Sequence, residues 1–161
     1  MKNISEKVLL FNTILACLDG SSLAEQILPY VTEMALLSNS KVVLLEVVSL
    51  SSDVTPTVPG VDPITLPSMS GLDQLQEEEK EAKDYLEGIA QPLQRRGVKV
   101  EGVVRQGMPG DVIVAYAEEI KADIIAIATH GRSGLGRLFF GSVAEHVLKE
   151  SGLPILMIKP R

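Results

Sequence analysis

The sequence predicts an α/β fold in which a five-stranded parallel sheet carries helices on both faces. Apolar runs of strand length alternate five times with segments of helical periodicity along 161 residues. The runs are nearly continuous in their apolar character, which is typical of strands buried on both faces. Apolar residues make up 45% of the chain and aromatic residues only 4%. An aliphatic core of this kind suits a parallel sheet flanked by helices.

The first half of the chain predicts two strands and a helix between them. The strands span Thr13 to Asp19 and Lys41 to Ser49, and the serines of the turn after Asp19 are suited to cap the helix that follows. Apolar residues recur in that helix at Leu23, Ile27, Val31, Met34 and Ala35. Pro29 lies within the helix, where it costs about 3 kcal/mol. We therefore expect a kink near residues 25 to 29.

Residues 50 to 71 predict a long loop. Four prolines, Pro56, Pro59, Pro63 and Pro67, stand among serines, threonines and glycines, so neither a central strand nor a helix is expected. Loops longer than about 15 residues are usually functional lids or disordered segments. The loop leaves the carboxyl end of a strand, where ligands bind in parallel sheets. Both a lid and a flexible insert are open at this stage.

The second half predicts three further strands with helices between them. A helix from Leu72 to Arg96 ends at Gly97, and strands follow at Val98 to Arg105, Asp123 to Thr129 and Ile155 to Lys159. Pro109 opens one intervening helix, and Ser142 is expected as the N-cap or a first-turn residue of the other. The length fits a single domain that covers residues 1 to 161.

The stretch from Ile124 to Ser142 has the order of parts that an anion site needs. A buried strand leads into a loop with three glycines and two arginines, Arg132 and Arg137, and the loop ends at a helix N-terminus. Unpaired N–H groups and the helix dipole favour anions there, and arginines add charge-assisted contacts, so a phosphate is the expected ligand. The alternative is an ordinary strand-to-helix loop with solvated arginines.

This stretch also resembles the nucleotide-binding signature of the universal stress protein family. Ala128-Thr-His-Gly131, nine further residues and Gly141-Ser142 are similar to Gly-x2-Gly-x9-Gly-(Ser/Thr), with alanine in place of the first glycine. The resemblance extends through residues 143–148, Pro154 to Lys159, and Ile14 to Ser22. It covers nearly the whole chain apart from the 50 to 71 insert.

The resemblance implies the strand order 3-2-1-4-5 and a site at the carboxyl ends of the strands. Adenine is expected against the backbone around Val47, and phosphates against Arg132, Ser133, Ser142 and Val143. Asp19 is expected to accept hydrogen bonds from ribose, to help hold a divalent ion, or only to cap the next helix. The expected nucleotide-binding residues are Cys17, Asp19, Val47, Ala128, Thr129, His130, Gly131, Arg132, Ser133, Gly134, Gly141, Ser142 and Val143.

Two positions depart from the family's usual residues. Glu46 stands where the family often has histidine, and we expect its carboxylate to be reached by solvent at the end of the strand, with a catalytic role as the alternative. Cys17 stands where the family often has proline, and it is expected to be a small buried apolar residue.

Two classes of function are compatible with these features. The first is an ATP-binding stress or regulatory protein with at most slow hydrolysis, which holds ATP, ADP or AMP with or without Mg²⁺. The second is an enzyme that hydrolyses or transfers from ATP or a related adenylyl compound. A P-loop is excluded, because Arg137-Leu138 follows Gly136 where Lys-(Ser/Thr) is required. A serine hydrolase is not expected either, since Ser133 does not stand in Gly-x-Ser-x-Gly.

The net charge and the composition limit the classes of partner that we expect for this protein. A net charge of −6 disfavours nucleic acid, and no apolar stretch reaches the length of a membrane span. One cysteine and an N-terminus without signal-peptide features are typical of a cytoplasmic protein. The family resemblance implies a homodimer that pairs through the strand at 155–159, which lies at the edge of the sheet.

Overall fold

The computed structural model describes residues 11–49, 69–129 and 141–159. Five parallel strands form one sheet in the order β3-β2-β1-β4-β5. The strands are β1 Thr13–Leu18, β2 Lys41–Val48, β3 Lys99–Gln106, β4 Ile124–Ala128 and β5 Ile155–Ile158. The helices are α1 Ser22–Glu25, α2 Leu28–Ser38, α3 Met69–Arg95, α4 Pro109–Glu119 and α5 Ser142–Glu150. The expected fold class and strand order are confirmed, and each strand end lies within one residue of its prediction.

The sheet separates two hydrophobic cores, which confirms helices on both faces. Side chains alternate along β1, so that Ile14, Ala16 and Leu18 pack with residues of α1, α2 and α3. Leu15 and Cys17 pack on the opposite face with residues of α4 and α5. This period of two follows from the pleat of a strand. Because both faces are covered, the central strands are apolar at nearly every position.

The expected kink near Pro29 is a complete break between two helices. Ser21 is the N-cap of α1 and accepts a hydrogen bond from the N–H of Ala24 at 3.1 Å. α1 ends at Glu25, and Pro29 lies in the first turn of α2. Proline needs no N–H donor at that position and has the required φ. Pro29 thus avoids the cost of a position inside a helix, whereas Pro92 does lie inside α3.

The predicted end of the long loop is wrong by three residues. α3 begins at Met69 rather than Leu72, so the last part of the predicted 50 to 71 loop is helical. The spacing of apolar residues from Leu75 onward gave no signal for this extra turn. Residues 50–68 lie outside the described part of the chain, so the choice between a lid and a flexible insert stays a prediction, as does the single domain over residues 1 to 161.

The sheet divides at its carboxyl edge between β1 and β4. Their pairing runs from Ile14 with Ile124 to Ala16 with Ala126. β1 nevertheless stays paired with β2 as far as Leu18, and β4 with β5 as far as Ala128. The strand order reverses between β1 and β4, which makes this the point where open α/β sheets bind ligands. The divergence opens a crevice there.

The packing of α3 on β3 leads to a testable pair of substitutions. A Cβ at Gly102 would lie 2.9 Å from the Cβ of Leu86, whereas a Cβ at Gly88 on α3 would meet nothing within 4 Å. We expect Gly102→Ala to lower the free energy of unfolding by about 1–3 kcal/mol through overpacking. We expect Gly88→Ala to raise it by about 0.5–1 kcal/mol through helix propensity. Urea unfolding measures both, and equal effects of the two substitutions would contradict the described contact.

Candidate functional site

The crevice between β1 and β4 is a cavity of about 870 Å³. Its floor is formed by the carboxyl ends of β1, β2 and β4, and its walls by α1 and α3 on one side and α4 and α5 on the other. The lining residues are Cys17, Leu18, Asp19, Gly20, Ala24, Leu45, Glu46, Val47, Val48, Ser49, Glu78, Glu81, Ala82, Tyr85, Pro109, Ile113, Ile127, Ala128, Thr129, Gly141, Ser142, Val143 and Ala144. A volume of this size lies within the range of small-molecule sites.

The crevice brings together every predicted site residue that the structure describes. These residues come from β1, β2, β4 and the start of α5: Cys17, Asp19, Val47, Ala128, Thr129, Gly141, Ser142 and Val143. The remaining predicted residues, His130, Gly131, Arg132, Ser133 and Gly134, lie outside the described residues, and so does Arg137. The binding roles of all these residues stay predictions.

The N-terminus of α5 is tied directly to the end of β4. The N–H of Gly141 donates to the carbonyl oxygen of Thr129 at 2.8 Å. A Cβ at Gly141 would lie 3.0 Å from the same oxygen, so glycine permits this close approach. Gly141 is the N-cap and Ser142 the first helical residue, which confirms the expected first-turn position of Ser142. Helix geometry leaves the N–H groups of this first turn without intrahelical acceptors. They provide a donor-rich and electropositive end of the crevice.

Of the roles that the sequence left open for Asp19, the structure shows the one at the start of the next helix. Its Oδ1 accepts hydrogen bonds from the N–H of Ser21 at 3.0 Å and from the Oγ of Ser21 at 2.6 Å. Ser21 in turn caps α1, so Asp19 fixes the turn that leads into this helix. Within the described part of the chain, Oδ2 of Asp19 has no hydrogen bond. The same carboxylate can therefore support the turn and still accept a hydrogen bond from a ligand.

The wall formed by α3 was not predicted as part of the site. Glu78, Glu81 and Tyr85 line the crevice, and their i, i+3, i+7 spacing places them on one face of the helix. That spacing is visible in the sequence, but nothing in it shows which helix face covers the crevice. The hydroxyl of Tyr85 donates to Oε1 of Glu25 at 3.2 Å. Burial raises the pKa of Tyr85, and the negative charges of Glu25, Glu46 and Asp19 add to this effect.

The environment of Glu46 differs from the expectation of a solvated carboxylate. The residue is half-buried, and its Oε2 atom is out of contact with solvent. Leu18 pairs with Glu46 in the register between β1 and β2, so β2 continues beyond the end of β1. Glu46 thus belongs to the floor of the crevice rather than to an open strand end.

The opposite wall is apolar and contains the cysteine. Pro109 and Ile113 of α4 and Ile127 of β4 face the crevice together with Cys17. Cys17 is only 6% exposed, as expected for a small buried apolar residue, and burial raises the pKa of its thiol to about 12. The thiol is therefore neutral near pH 7. This wall suits the flat face of an aromatic ligand.

In residues 11–49, 69–129 and 141–159, no three His, Cys, Asp or Glu side chains cluster closely enough to hold a metal ion. No helix in these segments has both the length and the apolar character to cross a bilayer.

Comparison with known sequences gives one family. The sequence model of the universal stress protein family matches residues 10–159. Universal stress protein MJ0577 of Methanocaldococcus jannaschii is 31% identical over 159 residues, which cover 93% of this chain and 96% of that protein. Universal stress protein YxiE of Bacillus subtilis is 26% identical over 93% of this chain and 100% of its own length.

Solved structures show the same architecture. A structure of MJ0577 superposes with a TM-score of 0.79 at 28% identity, over 95% of this chain and 99% of that one. A universal stress protein family protein from Arabidopsis thaliana with AMP bound gives a TM-score of 0.64 at 18% identity, over 93% and 92% of the two chains. The universal stress protein from Archaeoglobus fulgidus in complex with dAMP gives a TM-score of 0.59 at 20% identity, over 94% of this chain and 100% of that chain.

The burial of Cys17 predicts a thiol that reacts very slowly. A pKa of about 12 instead of an ordinary 9.0 lowers the thiolate fraction at pH 8 about a thousandfold. We expect a disulfide reagent such as DTNB to modify the folded protein at least that much more slowly than the urea-unfolded protein. Absorbance of the released thiolate measures the rate. Rapid modification of the folded chain would show that the thiol is exposed.

Proposed function

Because the chain belongs to the universal stress protein family, we propose that it binds an adenine nucleotide in the crevice between β1 and β4. ATP is the proposed physiological ligand, and its binding is the proposed conformational signal of a regulatory or stress-response protein. The observation that carries this proposal is the start of α5, whose first-turn N–H groups meet the carboxyl ends of β1 and β4 in one cavity. A helix N-terminus in this position is suited to phosphate.

The phosphate group is proposed to occupy the α5 end of the crevice. Ser142 and Val143 lie in the first turn, where backbone N–H groups and the helix dipole both favour negative charge. Ser142 adds a hydroxyl donor. Oδ2 of Asp19, on the opposite side of the β1–β4 gap, is placed to accept a hydrogen bond from a ribose hydroxyl or to contact a Mg²⁺ ion carried by the phosphates.

The base is proposed to lie against the backbone of β2. The N–H of Lys41 donates to the carbonyl of Asn12, so alternate residues of β2 direct their backbone groups towards β1. Val47 is one of the residues whose backbone groups point in the direction of β1. However, β1 ends at Leu18, which pairs with Glu46, so β1 does not extend alongside Val47. The backbone of Val47 is therefore near the open end of the crevice, with Cys17 and Ile113 on the apolar wall beside it.

Two further features support the proposal that the protein binds an adenine nucleotide and hydrolyses it slowly at most. Structures of this family have been solved with AMP, with dAMP and, in one case, with cAMP. In this chain Arg137-Leu138 stands where a P-loop carries the lysine and the metal-binding hydroxyl. We therefore propose that bound nucleotide acts as a signal. ATP turnover near 1 per second, as in ordinary enzymes, would contradict this part of the proposal.

A homodimer through β5 is also proposed. β5 is an edge strand of four apolar residues that are all partly exposed, and Leu148 on the adjacent α5 is 49% exposed. The opposite edge strand, β3, carries Lys99, Glu101 and Arg105. Charged residues protect a strand edge against pairing, whereas an apolar edge invites it. Antiparallel pairing of β5 with a second copy is the arrangement that this difference favours.

The role of the α5 N-terminus predicts the effect of one substitution. Ser142→Pro removes the first N–H of α5, and proline is tolerated at the first helical position. We expect affinity for ATP to fall about tenfold, as for loss of a hydrogen bond to a charged group, and affinity for adenosine to stay unchanged. Calorimetric titration measures both.

Ser142→Ala is the matched control, because it removes the hydroxyl and keeps the N–H. It should weaken ATP binding less than the proline variant does. An equal loss of ATP and adenosine affinity in Ser142→Pro would contradict a phosphate at this helix. Failure of the unmodified protein to bind any adenine nucleotide would overturn the proposed function.

The proposed dimer predicts the effect of a substitution in β5. The carbonyls of Pro154 and Ile158 accept hydrogen bonds from the N–H groups of Ile125 and Thr129. Backbone groups alternate in direction along a strand, so the N–H of Met157 points away from the sheet. We expect Met157→Pro to give a monomer at micromolar concentration, since it removes an outward donor at an edge strand. Met157→Ala loses the same side chain but keeps the N–H, and it should remain a dimer in light scattering. Dimers in both variants would contradict pairing through β5.

A further inference from the structure

Near their N-termini, α4 and α5 meet at one histidine and one glycine. A Cβ at Gly110 would lie 2.7 Å from Cδ2, 2.8 Å from Cγ and 3.1 Å from Cβ of His146, so the histidine side chain lies directly on the backbone of α4. Nε2 of His146 is 2.9 Å from Oδ1 of Asp111, the next residue of α4. One side chain of α5 therefore packs on the first turn of α4 and also forms a polar contact with it.

This contact lies one helical turn away from the crevice. Pro109, which precedes Gly110, lines the apolar wall. Ser142 and Val143 line the α5 end, and they stand four and three residues before His146, on the same side of that helix. Among the described residues that line the crevice, His146 is absent. The contact thus joins the two helices that carry the apolar wall and the proposed phosphate end, and it leaves the ligand untouched.

Asp111 is the charged group that α4 presents to His146. The other charged residues near the histidine are on α5 itself: Glu145 and Lys149 pair with each other at 2.6 Å, and Glu150 is exposed. β4 and β5, which share the core beneath α5, carry no charged residue. Because the side chains of His146 and Asp111 are 41% and 70% exposed, water partly screens the pair. Their contact is therefore in equilibrium between a formed and an open state.

We propose that the contact between His146 and Asp111 is a clamp that holds α4 and α5 in the arrangement that binds nucleotide. This inference rests on the proposed function, because the arrangement matters only if the apolar wall and the first turn of α5 act on one ligand. When only a fraction of the molecules is clamped, the apparent dissociation constant rises by the inverse of that fraction. His146 is then a positioning residue, which acts through α4.

The clamp makes the affinity for nucleotide depend on pH. Histidine side chains gain a positive charge as the pH falls from about 8 to about 6, and this charge strengthens a contact with a carboxylate. A neutral imidazole still donates one N–H, so the contact weakens at high pH but does not disappear. An exposed ion pair changes an equilibrium constant by up to about fivefold. We therefore expect the charged clamp to raise ATP affinity about two- to fivefold at the lower pH.

Calorimetric titration of the full chain with ATP, at about pH 6 and about pH 8, tests the clamp. ATP itself gains a proton equally in every experiment, so the ratio of variant to unmodified dissociation constants isolates the protein's contribution. His146→Gln keeps a neutral donor, so its ratio should be near one at the higher pH and about two- to fivefold at the lower.

Asp111→Asn keeps a neutral acceptor and should give the same two ratios. This variant separates the clamp from a direct attraction between a charged His146 and the phosphates. A direct attraction would persist without the carboxylate, so Asp111→Asn would then bind ATP at the lower pH at least as tightly as the unmodified protein. That result would overturn the inference.

Gly110→Ala opens the clamp by geometry and keeps both of its polar groups. The new methyl group would overlap the root of the His146 side chain, so the ring has to move away from Asp111. We expect ATP affinity to fall about two- to fivefold at the lower pH. Gly88→Ala is the matched control, because a Cβ there meets nothing within 4 Å and Gly88 lies outside the crevice lining. Its ATP affinity should equal that of the unmodified protein.

Thermal unfolding checks that each variant is folded. Ratios near one at both pH values in His146→Gln, or an unchanged affinity in Gly110→Ala, would overturn the inference while the proposed function stands. An equal loss at both pH values in His146→Gln would show a purely structural role for the histidine and would overturn it as well. Failure of the unmodified protein to bind ATP at either pH would instead overturn the proposed function, and the inference with it.

Discussion

The hydrogen bond from the N–H of Gly141 to the carbonyl of Thr129, at 2.8 Å, fixes the position of α5 relative to the sheet. It holds the first turn of the helix directly above the end of β4, at a separation that leaves little room for a side chain at residue 141. The electropositive end of α5 therefore opens into the crevice rather than into solvent. Phosphate binding as proposed depends on this placement, because the field of a helix terminus falls off within its last turn.

The divergence of β1 and β4 supplies the space that α5 faces. Each strand remains paired with its outer neighbour after the pairing between them has ended at Ala16 and Ala126. On both sides of the gap, the floor of the crevice is consequently made of strands that stay paired with their outer neighbours. Asp19 leaves this floor from β1 and accepts two hydrogen bonds from Ser21, so its carboxylate has a defined position. A site built in this way is largely preformed for its ligand.

The sequence predicts the elements and their order, because apolar periodicity and the glycine and proline signals are local. It also predicts that Ser142 begins a helix and that Asp19 ends a strand. It does not predict that Glu78, Glu81 and Tyr85 form a wall of the crevice, since their position there depends on how α3 lies across the sheet. The burial of one oxygen of Glu46 was missed for the same reason. The first turn of α3 at Met69 was missed because no apolar periodicity precedes Leu75.

The two sides of the crevice differ in polarity, and the proposed nucleotide would therefore have one favoured direction. Donor groups of α5 lie at one end of the crevice, and the carboxylate of Asp19 lies on the other side of the gap between β1 and β4. The most direct test is an NMR titration of the ¹⁵N-labelled protein with ATP. The proposed function predicts saturable shifts that are largest at the amides of Ser142, Val143 and Val47. Shifts that do not saturate, or that lie away from the crevice, would contradict it.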